Sequence, residues 1–405
     1  MPVQIQSNED ELQFQLIDHS GQIRSLWQMK DQLQQLFFEV LREWIRVQQQ
    51  RQLEAQLGEK WQPMPARWRR ISCPGCGSVD LRRKCWRERT VTFARWGEVS
   101  IPRRQVECTD CGWTWMPFAE QLELPRGRYG PELLEQSIRW ATEVSFRKAS
   151  EAVLEGPSAH TIWRRLRQTV PTPTCRDAPT AVVDSTDVPE WQGEGQHALS
   201  LVHRIGPATQ KRSEVRPRRL LTVTVGAEAD IKPKLADLQL QSLIHDGNLA
   251  LEEAAEQVGR CRWHVPYTVR HLLYSDDITG EDNKERVEQL HRITTDPRLG
   301  KQTLEWRLNL WLMENSDASQ ACEHVRRARA GLMELADRKS RRPEVETTSH
   351  VEREMLEINK RFENGGGWTQ TGAKAMLLHH QMRRHEPENW KRQLREKLET
   401  TLLLN

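Results

Sequence analysis

No run in this sequence is apolar for the roughly twenty residues that a membrane-spanning helix needs, so no such helix is expected. Residues 1–10 are polar and acidic and lack the basic start and apolar centre of a secretory signal. Cysteine is sparse. Of the eight, Cys85, Cys175, Cys261 and Cys322 are too scattered to suggest a disulfide framework, and a reducing, cytoplasmic setting is expected. Charge of one sign is nearly missing as well: 60 Lys and Arg meet 57 Asp and Glu, for a net +3. Any affinity for a polyanion must therefore be local. Tyrosine is rare, with three against 16 tryptophans. Trp68, Trp86 and Trp163 lie beside basic residues, where a ring can pack under an arginine stem or face nucleic acid. A chain of 405 residues has room for two to four domains.

The other four cysteines form two Cys-x-x-Cys pairs, Cys73/Cys76 and Cys108/Cys111, followed by Gly77 and Gly112. Four thiolates in two such pairs can close a tetrahedral shell around one Zn2+. Residues 91–102 alternate, turn at Gly97 and alternate again, so the layout predicts knuckle, hairpin, knuckle: a zinc ribbon. Between Lys60 and Glu120, 12 Lys and Arg face six Asp and Glu, a local +6. That excess points to DNA, with Arg69, Arg70, Arg82 and Arg83 as phosphate contacts, although such a knot can also serve only to pin a small domain.

Ahead of the ribbon, Leu26, Met29, Leu33, Leu36, Phe37, Val40, Leu41 and Trp44 recur at helical spacing and predict one long helix over about 22–57, ended by Gly58. Its apolar stripe needs a partner, either a second copy or a later domain. After the ribbon, helices are expected over about 131–143, 145–154 and 158–167, with Ser158 as a cap. The last two make a helix-turn-helix whose basic final helix offers Arg164 and Arg165 to DNA. From Thr180 the order strand, hairpin, strand, helix, strand matches an RNase H-like fold, and a basic loop carries Lys211, Arg212, Arg218 and Arg219. From about 280 to 340 the chain reads as charged helices anchored by Leu304, Leu308, Trp311 and Leu312. The expected organisation is multidomain, α+β and α/β: a helical region at 1–60, a ribbon at 61–124, a helix-turn-helix at 125–170, a catalytic core at 178–279, a helical insertion at 280–345, and a catalytic helix with closing helices at 346–405.

Two apolar strands end in carboxylates, Asp184 and Asp246. In such a sheet these strands lie side by side, and two neighbouring carboxylates are costly unless a divalent cation sits between them. A Mg2+ or Mn2+ pair there suits in-line phosphoryl displacement. Asp187 competes with Asp184 but lies beyond the apolar run. A third ligand must come from a helix packed on the sheet, and Glu352, Glu354 and Glu357 are available.

At this point the residues carry a family resemblance. Asp184-Ser185-Thr186, Asp246-Gly247-Asn248, Cys261-Arg262-Trp263-His264, and Glu352 followed by Arg361, Gly367-Trp368-Thr369 and Gly372-Ala373 together resemble bacterial insertion-sequence DDE transposases of the Mutator-related type, the Kra and Lre groups in particular. Thr369 and Thr371 depart mildly from the family wording. The resemblance runs from about Trp61 to Leu378 and is weakest in the ribbon. It selects Glu352 as the third ligand. It implies catalysis by Asp184, Asp246 and Glu352 with Mg2+ or Mn2+, and a helical insertion between the last strand and the catalytic helix. It gives His264 a role near the scissile phosphate, against the plain alternative of a packed, hydrogen-bonded histidine. The implied partner is double-stranded DNA, as transposon ends and target, with a homodimer or larger assembly, a bacterial nucleoid-associated location and no membrane. The competing expectation is a DNA-binding regulator derived from a transposase and lacking catalysis.

Overall fold

The computed structural model of the chain describes residues 3–7, 12–16, 26–58, 71–94, 97–118, 127–153, 155–175, 177–178, 180–190, 195–205, 218–247, 251, 254–296, 298–338, 348–363 and 367–404. Among them the protein is mixed α and β, with twelve α-helices. It divides into two compact units. One comprises Met1–Trp140, Phe146–Arg165 and Arg395–Asn405; the other comprises Ala141–Ser145 and Leu166–Leu394.

In the first unit, β1 (Val3–Ser7) and β2 (Leu12–Leu16) pair antiparallel. This corrects the expectation of a purely helical N-terminal region. Val3-Gln4-Ile5-Gln6 and Leu12-Gln13-Phe14-Gln15 alternate with period two, the strand period. Helix α1 (Leu26–Leu57) follows and ends at Gly58, whose φ of +78° suits glycine. Strands β3 (Leu81–Phe93), β4 (Gly97–Cys108) and β5 (Thr114–Trp115) form an antiparallel sheet in that order. Helix α1 lies on this sheet. Ile45 joins Val91, Val99 and Ile101, while Leu53 and Leu57 join Cys73, Leu81, Val106, Cys108 and Phe118. Buried Gln49 fixes the register: its Nε2 donates to Pro102 O and its Oε1 accepts from Arg104 N, both at 2.8 Å. Helices α2 (Pro131–Ala141), α3 (Phe146–Ala152) and α4 (Ala159–Gln168) come next. Ser158 Oγ accepts from Thr161 N at 3.3 Å at the start of α4. The tail from Arg395 belongs to this unit, where Arg395 Nε meets Glu135 Oε2 at 2.6 Å.

In the second unit a short parallel pair, β6 (Asp177–Ala178) with β10 (Gln239–Leu240), accompanies a five-stranded sheet. Its strands are β7 (Ala181–Pro189), β8 (Gln196–Ile205), β9 (Arg218–Gly226), β11 (Ser242–His245) and β12 (Gln257–Arg260). The order is β12-β11-β7-β8-β9. β7, β8 and β9 are antiparallel neighbours; β11 joins β7 parallel, and β12 joins β11 parallel. Strand β12, only four residues long, has too little alternation to announce itself in the sequence.

Along β7, Ala181 and Val183 enter one core with Val202, Leu221, Leu243, and Ile231 and Leu235 of α5 (Ile231–Ala236). Side chains alternate across a strand, so Val182, Asp184 and Thr186 point to the other face. That face receives α10 (Ser349–Glu363), held through hydrogen bonds between Asn359 and Thr186 Oγ1 at 3.1–3.2 Å. Helices α6 (His264–Ser275), α7 (Gly280–Thr295), α8 (Lys301–Glu314) and α9 (Ser319–Arg338) build a helical layer with its own core, including Val269, Leu290, Leu308, Trp311 and Val325. This layer begins at His264, earlier than the 280 read from charge content, because the apolar spacing Val265–Val269–Leu273 already feeds its core. Helix α11 (Gln370–His385) is capped by Thr369, whose Oγ1 accepts from Gly372 N at 3.2 Å, and α12 (Pro387–Leu404) closes the chain.

Candidate functional site

The register of β11 on β7 pairs Leu243 with Ala181 and Ile244 with Val182. Two residues further, the same register sets Asp246 beside Asp184. Both are buried, at 7% and 6% exposure. Burial, and then the charge of Asp246, push the Asp184 carboxyl up to about 7, against the opposing pull of His264. Two sheltered carboxylates side by side disfavour the doubly charged state. The turn after Asp246 is held by Gly247 at φ +102°, where an added Cβ would lie 1.5 Å from the Arg260 guanidinium carbon. Arg260 Nη1 donates to Gly247 O at 2.6 Å. Only glycine meets both demands there.

Glu352 lies in the first turn of α10 with its side chain 40% exposed, and its charge is felt at Asp184. Its Oε1 accepts from Thr348 Oγ1 at 2.8 Å and lies 3.6 Å from His264 Nδ1. Thr348 is fully buried and links several groups: its Oγ1 is 3.1 Å from His264 Nδ1 and its N–H donates to Cys261 Sγ at 3.4 Å. The donor atoms of Cys261, His264 and Glu352 lie within 4.8 Å of one another. Burial alone would lower the His264 pKa; the hydrogen bond and charge of Cys261, then Glu352 and Asp184, raise it to about 9. Burial would raise the Cys261 thiol, but His264 and Thr348 bring it below its ordinary value. His264 opens α6 in surroundings that favour its protonated form. Sequence reasoning missed Thr348. The available signal was a hydroxyl residue just ahead of an acidic first turn.

The other carboxylates sort by position. Asp187 is exposed. Glu357 pairs with Lys360 at 3.1 Å. Glu354, 1% exposed, meets Arg218 Nη1 at 3.0 Å, Arg384 Nε at 3.2 Å and His385 Nε2 at 3.5 Å. Burial opposes its charge, yet His385, Arg384 and His203 hold its carboxyl at about 2. This corrects the reading of Arg218 as a DNA contact. It is 8% exposed and its guanidinium is committed to Glu354. Beyond the motif, Trp368 packs on Phe362 with ring centroids 4.7 Å apart, and its backbone N–H donates to Pro189 O at 2.8 Å.

In the first unit, Cys73, Cys76, Cys108 and Cys111 bring their sulfurs within 4.8 Å of one another and could hold a structural metal such as zinc. Gly77 and Gly112, at φ +76° and +71°, turn each knuckle so that their N–H groups reach Cys73 O and Cys108 O. Cys85 is exposed and its Sγ faces Gln105 Oε1 instead. Of the expected DNA contacts, Arg69, Arg70, Lys211 and Arg212 lie outside the described residues. Arg82 pairs with Glu107 at 3.1 Å, and Arg83 donates to Gly58 O. Arg164 and Arg219 are exposed; Arg165 is half-buried, and burial, then Arg164, lower its pKa.

No protein-family model matches the chain, and no curated protein matches it.

Proposed function

We propose that this chain is a DDE transposase that binds terminal inverted repeats and carries out metal-dependent strand cleavage and strand transfer on DNA. The observation carrying the reading is the pairing of β7 with β11, which sets buried Asp184 beside buried Asp246 under a helix bearing Glu352. The strand order β12-β11-β7-β8-β9 supports reading the sheet as an RNase H-like core, with α6–α9 read as a helical insertion between its last strand and α10. Two buried carboxylates side by side are costly without a cation between them, and the pair Asp184 and Asp246 fits a divalent metal on that ground. Asp184, Asp246 and Glu352 would hold Mg2+ or Mn2+, which when bound activates an attacking oxygen and steadies a leaving one. His264 places a proton donor beside these carboxylates, and Thr348 orients both His264 and Glu352. The four-cysteine cluster is read as the Zn2+ site of a ribbon that, with α3 and α4, grips DNA through Arg164, Arg165 and the exposed Arg82.

One observation favours the alternative of a non-catalytic DNA-binding protein: Glu352 is engaged by Thr348 and His264. Cleavage of end-bearing DNA decides between the two. Wild-type protein should nick DNA carrying its terminal repeats with Mg2+ or Mn2+, and Asp184→Ala, Asp246→Ala and Glu352→Ala should each abolish nicking while retaining DNA binding. Binding without nicking under either cation would establish the regulator instead.

A further inference from the structure

Helix α6 carries an exposed stripe that its packing does not use. At about 100° per residue, Trp263, Tyr267, Arg270 and Tyr274 fall within roughly 60° around the axis, along some 16 Å of helix. The three rings are 52%, 62% and 48% exposed, while Val265, Val269 and Leu273 on the opposite face are buried. Trp263, at the N-cap, already has helical backbone angles (φ −81°, ψ −34°), so it continues the stripe. His271 stands edge-on to Tyr267 at 5.1 Å, and His291 of α7 stands edge-on to Trp263 at 4.7 Å. From Cys261 to Ser275 there is no Asp or Glu. The next helix differs: the exposed residues of α7 include Glu281, Asp282 and Glu285. The stripe also starts beside the carboxylates, because Trp263 precedes His264, whose Nδ1 is 3.6 Å from Glu352.

We infer that this face of α6 takes an unpaired segment of DNA at the cleavage site, with bases stacked on Trp263, Tyr267 and Tyr274 and a phosphate on Arg270. The inference rests on the strand-cleavage reading and names the strand conformation that the site accepts. Every base offers a π-face whatever its identity, and stacking on aromatic side chains needs that face open, as in a single strand and not in a duplex. Trp263 and Tyr267, one turn apart, are about 6 Å apart along the axis, close to the room one base needs between two rings, and Tyr267 and Tyr274, two turns apart, are about 10 Å apart, room for two. The exposed Arg270 and the lack of Asp or Glu from Cys261 to Ser275 suit a phosphate backbone.

The test uses the full chain without Mg2+ and two 30-base-pair probes, one fully paired and one with a central six-nucleotide unpaired bubble containing 2-aminopurine. Wild-type protein should bind the bubble probe more tightly and quench its fluorescence. The triple variant Trp263→Ala, Tyr267→Ala, Tyr274→Ala should lose about tenfold or more in bubble affinity and lose the quench, with duplex affinity within about twofold. Tyr267→Phe alone, which keeps the ring, should behave as wild type and controls for folding. An unchanged bubble preference in the triple variant overturns the inference. So does loss of self-association in sedimentation with DNA binding intact, which would give the face to a second copy. If wild-type protein still nicks end-bearing DNA with Mg2+, such a failure touches the stacking face alone. If wild-type protein binds neither probe, the strand-cleavage reading falls with it.

Discussion

At the residue scale, two glutamates two positions apart on α10 occupy opposite settings. Glu352 is half-exposed beside His264 and Thr348, and Glu354 is buried among Arg218, Arg384 and His385. Glu354→Ala would leave Arg218 buried without its counter-charge, a change worth about 3–5 kcal/mol in other buried pairs. A clear drop in thermal midpoint is expected, whereas Glu352→Ala should leave the midpoint nearly unchanged and remove nicking. Equal midpoints in the two variants would contradict this division. Asp184 gives a pH-dependent counterpart. Its folded pKa is raised above the unfolded carboxyl value, so its contribution to stability is fully present below about pH 4 and is lost as pH rises through about 7. In magnesium-free buffer, Asp184→Asn should therefore raise stability at pH 8, by at most about 4 kcal/mol, and by little at pH 4. Calorimetry at both pH values checks the sign. Mg2+ at pH 8 should then stabilise the wild type and not the variant. For Thr348, loss of the hydroxyl in Thr348→Val should slow nicking about tenfold and raise the Mg2+ concentration required, while Thr348→Ser should restore both, since a buried hydroxyl links His264 and Glu352.

At the element scale, the strands that carry the carboxylates were readable from the apolar runs that lead into Asp184 and Asp246, although β7 does not end at Asp184 and continues to Pro189, and helical spacing marked α1, α4 and α10. Other parts could not be read. The neighbour relation between β11 and β7 is a long-range pairing that local periodicity does not encode. Strand β12 is too short to show a period. Whether Arg218 faced solvent or Glu354 depended on an α10 residue 136 positions away. Of the apolar stripe read on α1, Leu41 packs on the β3–β4 hairpin while Leu33, Phe37 and Trp44 stay exposed; the residues that carry the packing, Ile45, Leu53 and Leu57, lie outside that stripe, and which surface would serve was not encoded locally. The metal prediction also lives at this scale. Cys73→Ser should lose zinc and Cys85→Ser should keep one zinc per chain by elemental analysis, because Cys85 faces Gln105 and lies outside the four-sulfur cluster. Equal loss from both variants would reject the ligand set.

At the scale of the whole molecule, a net charge of +3 means that the proposed DNA affinity must come from local patches, and basic α4 is the patch proposed for it. Full-length Asp184→Ala protein should bind repeat DNA with an affinity that falls linearly in log salt, and adding Arg164→Ala should lower that slope by about 1. A slope unaffected by Arg164 would remove α4 from the interface. A fragment restricted to the ribbon and helix-turn-helix would omit α1, whose Leu53 and Leu57 share a core with Cys73 and Cys108, so binding tests belong on the intact chain. That shared core carries one more consequence. Two close sulfur pairs join different knuckles, Cys73 with Cys111 at 3.5 Å and Cys76 with Cys108 at 3.6 Å. An oxidant acting on metal-free protein would therefore stitch one knuckle to the other, locking the two ends of the hairpin in place without any cation, and a reductant would be needed before the cluster could take metal again.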